Sequence, residues 1–186
     1  PTKQLRITYR GQSSAPSISN LQAIISNTDS LNIQYGNPSL KPSYTNSLMF
    51  MFYNFMQSTQ SSIMTMLNFQ NTLNGTTTQM TYISKTGGTV SHLVNVNGNW
   101  SLNGHMMFNT SLNKDNSLTM NTSTTATYSN QVGYTSVSDT TATNPYSEKF
   151  TLGQKSTTSN LSLGQTLRFG YRNDWLDVDL SGGVTY

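Results

Sequence analysis

The sequence predicts an all-β protein, an antiparallel up-and-down meander of about seven long strands. Three observations carry that expectation. Apolar and polar residues alternate over stretches far longer than a soluble strand. Only 9% of the 186 residues are charged, against roughly 25% in an average soluble domain, and no charge separates Lys41 from Lys85. Tight turns also alternate along the chain with longer connections.

The elements follow in order. Leu5, Ile7 and Tyr9 alternate with Arg6, Thr8 and Arg10 in the first strand. A long connection, Gly11–Ser43, holds "GNPSLKPS". There Pro38 and Pro42 bias Asn37 and Lys41 toward extended geometry and remove two backbone donors, which suits a loop entering a strand and not a strand interior. From Tyr44 to Phe69 apolar residues are so dense that the phase blurs, with a short turn at Ser58–Gln60. A second connection falls at Lys85–Gly88. Residues 90–108 then read as one strand, with Val90, His92, Val94, Val96, Trp100, Leu102, Met106 and Phe108 in one phase. Asn103-Gly104 resembles a hairpin turn, but the phase runs straight through it. Such a strand would be roughly 60 Å long.

After a short turn at Asn113–Ser117, Leu118, Met120, Ala126, Tyr128, Val132 and Tyr134 share a face opposite Thr119, Asn121, Ser123, Thr125, Thr127, Ser129 and Gln131. A third long connection is expected at Ser136–Glu148. Leu161, Leu163, Leu167, Phe169 and Tyr171 then alternate with polar residues, as do Leu176, Val178, Leu180, Val184 and Tyr186. A two-residue turn at Asn173-Asp174 would set Tyr171 against Leu176, Phe169 against Val178 and Leu167 against Leu180. It would also set Arg168 against Asp179, a pair worth about 0.2–1 kcal/mol.

Short turns on one side and long connections on the other are the habit of transmembrane β-barrels, with the polar face toward the lumen and the apolar face toward lipid. The mix of Ser, Thr, Asn and Gln with ten Tyr and seven Phe disfavours helix and suits pleated strands. Low charge and many aromatics argue against a disordered tail. No apolar run reaches the roughly 18 residues of a membrane helix. A net charge of +3 without a Lys/Arg cluster points away from nucleic acid. The absence of cysteine removes disulfides, thiolate metal sites and cysteine nucleophiles. The chain opens on "PTKQL" and stops inside "VDLSGGVTY". Residues 1–186 are therefore expected to be part of a barrel domain from a longer protein, without its plug domain or signal peptide. A soluble β-sandwich also alternates, and an adhesin or glycan-binding module stays open as the alternative, as does a smaller porin or enzyme barrel.

"LRITYRGQSSAPSISNLQ" followed by "GNPSLKPSYTNSLMF" resembles the TonB-dependent receptors of Gram-negative outer membranes, and most of all the outer-membrane β-barrel family common in Bacteroidetes. Tyr9, Arg10, Ala15, Pro16, Asn37, Pro38, Leu40, Lys41 and Pro42 match that family's pattern of an aromatic-basic strand end, a Pro-containing loop and an "NP-x-LKP" element. Ser43 stands where many receptors have Glu. "VNVNGNW" and "FNTSL" are similar too, although the specific motif is confined to residues 5–50. The resemblance implies the C-terminal part of a barrel in the outer membrane. It also implies transport of a nutrient ligand, a plug in the lumen and drive from the TonB system through segments outside this sequence. Contacts to the unidentified ligand would fall in the long connections at 11–43 and 136–148 and along the lumen face.

No catalytic motif emerges, and the protein is expected not to be an enzyme. His92 and His105 lie on opposite pleat faces without a carboxylate near them in sequence. No metal or cofactor set is expected. Asp174, Asp177 and Asp179 lack calcium-loop spacing and read as a lumen ion pair or solvated face. Met49, Met51, Met56, Met64 and Met66 read as packing or lipid contact. Trp100, Tyr128, Tyr134, Tyr171 and Trp175 are candidates for interfacial girdles. Asn74–Thr76 and Asn109–Ser111 match the glycosylation pattern, which carries little weight given the bacterial source that the resemblance implies. Outer-membrane lipid, the rest of the barrel and the plug are the expected partners.

Overall fold

The computed structural model describes residues 2–22, 25–26, 31–138 and 152–186. It contains the strands β1 (Lys3–Ser14), β2 (Ile25–Ser26), β3 (Asn32–Tyr35), β4 (Ser43–Met56), β5 (Ser61–Leu73), β6 (Gly75–Ile83), β7 (Gly88–Val96), β8 (Asn99–Ser111), β9 (Leu118–Ser138), β10 (Gln154–Arg172) and β11 (Asp177–Thr185). A single helical turn, α1 (Ile18–Leu21), lies between β1 and β2, started by Ser17, whose hydroxyl accepts from the Asn20 amide.

A wall of antiparallel neighbours runs β1-β4-β5-β8-β9-β10-β11. These are the expected seven strands. The remaining β2, β3, β6 and β7 form a lobe on the long-connection side, and it contains two parallel pairings, β3 with β7 and β6 with β9.

Registers place the side chains in continuous rows. One row runs Ile7, Phe50, Leu67, Gly104, Ala126, Leu163. The next runs Tyr9, Leu48, Phe69, Leu102, Tyr128, Leu161. Both belong to one face, which is apolar from the first wall strand to the last. The apolar positions drift along the strands as the wall is crossed, from Leu5, Ile7 and Tyr9 on β1 to Leu167, Phe169 and Tyr171 on β10. Strands tilted by about 35–45° to a membrane normal demand such a drift. Among the described residues Val132 is the one buried hydrophobic of the wall strands, and Leu5, Ile7 and Tyr9 are 59%, 64% and 61% exposed. In water that face would be an association hazard. In lipid it is solvated, while the ladder satisfies the backbone.

Turn chemistry explains the short connections. Gln60 and Asn116 adopt left-handed φ of 47° and 56° at the ends of the β4–β5 and β8–β9 turns, a conformation that polar turn residues tolerate. Asn113 tightens the second of these turns, its Oδ1 accepting from the Leu118 amide at 3.1 Å.

Three expectations need correction. Residues 90–108 are two strands, broken at Asn97-Gly98, where Gly98 has φ 113°. The partner arm breaks opposite, at Asn74, with φ 50°. The register is nonetheless unbroken, since Thr72 faces Asn99 and Gly75 faces Val96 without a slip. The pair is one long hairpin bent in the middle. Lys85–Gly88 is accordingly not a long connection but the region of its tip, with Gly87 at φ 69°. The β10–β11 turn spans Asn173–Leu176, because the Asn173 carboxamide accepts from the amides of both Trp175 (3.1 Å) and Leu176 (2.8 Å). Tyr171 thus pairs with Val178, Phe169 with Leu180 and Arg168 with Ser181. A shift of two residues leaves every side chain on its expected face.

Two boundaries also move. β1 continues through Gly11 to Ser14, and Ser136–Ser138 belong to β9. The rest of the connection expected at Ser136–Glu148 lies outside the described residues, as do 23–24 and 27–30 of the first.

Candidate functional site

The face opposite the apolar rows is the lumen side of the wall. Its rows read Thr8, Met49, Asn68, Asn103, Thr127, Ser162 and Arg10, Ser47, Gln70, Ser101, Ser129, Asn160. Most groups there are uncharged amides and hydroxyls, bonded to each other in places, as when Ser47 Oγ donates to Asn68 Oδ1 at 3.1 Å. The methionines divide by face. Met49, Met51, Met64 and Met66 lie on the lumen side, while Met56 takes the outward phase. This is why the phase blurs between residues 44 and 69: both faces carry large apolar groups.

The acidic residues concentrate at the far edge. Asp177 accepts from Arg172 at 2.7 Å and Asp179 lies 3.9 Å from Arg168. The expected ion pair on the lumen face is therefore present, with Ser181 and not Asp179 directly across from Arg168. Asp174 sits in the preceding turn. Among the described residues no cluster of three His, Asp or Glu has the arrangement of a metal site. His105 is on the lumen face, whereas His92 is buried in the lobe, 3% exposed. The structure does not bring them together.

The lobe is where the buried residues concentrate: Ile83, Val90, His92, Val94, Val96 and Gln79 alternate along the two arms of the hairpin. Burial holds the His92 imidazole down to about 4, so it is neutral at physiological pH. The "NPSLKP" segment grips this hairpin. Asn37 Nδ2 donates to the Leu93 carbonyl at 2.9 Å, and Leu40 is buried. Asn95 acts as the pin: its Oδ1 accepts from the Lys41 amide (2.7 Å), and its Nδ2 lies 3.0 Å from the Lys41 carbonyl and 2.8 Å from that of Asn74. The motif does more than lead into β4. Its partners lie more than fifty residues away in sequence, and no local signal announces them.

Where the hairpin leaves the wall, a cleft of about 370 Å³ opens among Gln70, Thr76, Asn99, Trp100, Ser129 and Gln131. Asn99 Oδ1 accepts from the Val132 amide at 2.8 Å and Asn130 Nδ2 donates to the Gly98 carbonyl at 2.9 Å, closing the gap in the ladder. On the outward face at this level Trp100 stacks against Tyr128 at 5.0 Å and Phe69 at 6.0 Å. Its row otherwise holds Gly11, Asn46, Asn71, Asn130 and Ser159. Aromatics bordered by amides mark the edge of the apolar band. At the other border Lys3 lies over the Phe52 ring at 5.8 Å, and Trp175 is 81% exposed in the short turn.

The family model described as "Outer membrane protein beta-barrel family" matches residues 1–176. The chain belongs to this family. Comparisons with curated proteins and with solved structures return no match. Membership of the outer membrane protein beta-barrel family places the chain in the bacterial outer membrane. In such a barrel the apolar rows are the face suited to lipid and the amide and hydroxyl rows the face suited to the lumen. The lobe lies on the side of the long connections, beyond the Trp100 row that ends the apolar rows.

Proposed function

We propose that this chain is wall of an outer-membrane receptor of the TonB-dependent type that takes up a nutrient, and that its role is transport and not catalysis. The observation that carries the reading is the lobe. A passive channel needs only a lined lumen. Here the hairpin of residues 75–96 is hydrogen-bonded to the "NPSLKP" segment on the loop side, where a receptor captures ligand before passage. The resemblance of residues 5–50 to such receptors points the same way. The ligand would first meet the lobe and its neighbouring connections and then pass the amide rows, with a plug and the TonB system as partners.

Liposome swelling tests this reading. Vesicles containing the full-length protein are challenged with an isotonic pentose. A plugged receptor leaves the swelling rate at that of protein-free vesicles. Rapid swelling would mean an open porin and overturn the proposal.

A further inference from the structure

We infer that the lumen face of β1, β4, β5 and β8 binds small amphipathic monocarboxylates, with Arg10 holding the carboxylate and Met49 and Met66, farther along the same groove, holding the apolar portion. The inference rests on the barrel wall alone, and a passive channel would carry the same groove.

A groove of about 400 Å³ lies where four wall strands meet, within the usual size of small-molecule sites, about 300–1,000 Å³. It is lined by Thr8 and Arg10 from β1, Met49 from β4, Met66 from β5, and Asn103 and His105 from β8. The lining is more apolar than polar and continues onto Met51 and Met64 of the same face, in contrast to the amides and hydroxyls that make up most of the rest of it. Water alone gives no reason for such a surface. An apolar ligand portion does.

The charge pattern identifies the other end. On the lumen face, Arg168 and Arg172 are matched by Asp179 and Asp177. Arg6 and Arg10 have no ion pair or side-chain hydrogen bond among the described residues. Among the described residues, then, the β1 side presents unneutralised guanidinium groups on the lumen face while the β11 side is balanced. Arg6 sits four residues from Arg10 on the same face, about 13 Å along the strand, too far to share one small anion with it. A single planar fork beside neutral amides fits one carboxylate, which it can grip with two parallel hydrogen bonds. The same arrangement disfavours a multiply charged phosphate, which draws on several cations.

The test is isothermal titration of the detergent-solubilised full-length protein with hexanoate, hexanol and acetate. Hexanoate is expected to bind at least tenfold more tightly than hexanol, which lacks the charge, and than acetate, which lacks the chain. Arg10→Gln should weaken hexanoate at least tenfold, Arg10→Lys less, and the control Arg172→Gln not at all. Met49→Ser should weaken hexanoate and leave acetate unchanged. Equal binding of hexanoate and hexanol, no binding of hexanoate at millimolar concentration, or an Arg10→Gln protein that binds like the parent would each overturn the inference.

Discussion

Placing one arginine at successive positions of β10 separates the two faces of the wall energetically. The outward phase of this strand runs from Leu161 to Tyr171. At about 3.3 Å per residue this is roughly 33 Å of strand, which a tilt near 40° projects to about 25 Å, the height of an outer-membrane apolar band. Leu167 falls close to the middle of that band and Leu161 at its loop-side edge. Ser162, next along, faces the lumen in the row of Thr127 and Asn103. An arginine at the midplane on the lipid side costs about 2–4 kcal/mol, falling to about 0–1 near the interface. Leu167→Arg should therefore lose about 2–4 kcal/mol, Leu161→Arg about 0–1, and Ser162→Arg less than about 0.5. The assay is guanidinium unfolding of full-length protein in phosphatidylcholine vesicles, with the folded fraction read from gel mobility without boiling. A Ser162→Arg protein as unstable as Leu167→Arg would refute the face assignment. A Leu161→Arg protein equal to Leu167→Arg would refute the depth assignment.

Other outcomes follow from the lobe. Asn95→Ala removes bonds to Lys41 and Asn74 and leaves backbone groups unpaired, a loss of about 2–3 kcal/mol at about 1 kcal/mol each. Hydrogen exchange of the hairpin amides should accelerate at least tenfold while β10 amides stay as they were. Gly98→Ala forces a side chain onto φ 113° and to within 3.1 Å of Val132, and should destabilise by more than about 1 kcal/mol. Gly133→Ala, where a Cβ meets nothing within 4 Å, is the control, and the two melting profiles compare them. His92 sits at about 4 in the fold against an ordinary 6.5. The unfolded chain takes up a proton first, so lobe stability should fall as pH drops from about 6.5 to 4 and level off below. The whole displacement corresponds to roughly 3 kcal/mol, reduced to about 1–2 by nearby solvent. His92→Leu should flatten that pH dependence in hydrogen exchange.

The wall was legible because lipid and lumen impose a period of two that long strands display without interruption. Side-chain parity reads faces well and bends poorly. The break at Asn97-Gly98 keeps the register, so Val96 and Trp100 stay in phase and only the glycine hints at a turn in direction. The β10–β11 register was missed for a related reason. An Asn carboxamide capping two amides widens the turn by two residues, and a shift of two preserves every face. The lobe was hidden from the sequence because its clasp joins Asn37 and Lys41 to Leu93 and Asn95 across the intervening wall strands. Arg10 could be read as lumen-facing from its phase. That Met49 lies one row from Arg10 and Met66 two rows along the same groove depends on the registers between β1, β4 and β5.

Residues 1–186 contain no cysteine, so a cysteine introduced among them is the one label site in this stretch. The most direct test of a wall with lipid on one face and water on the other is a nitroxide scan of residues 160–172 in full-length protein reconstituted in vesicles. Collisions with oxygen and with a water-soluble nickel chelate are measured at every position. Strict alternation is expected, with oxygen favoured at Leu161, Leu163, Leu167, Phe169 and Tyr171 and nickel favoured at Asn160, Ser162, Thr166 and Arg168. Equal nickel access on both faces, or a pattern without a period of two, would contradict it.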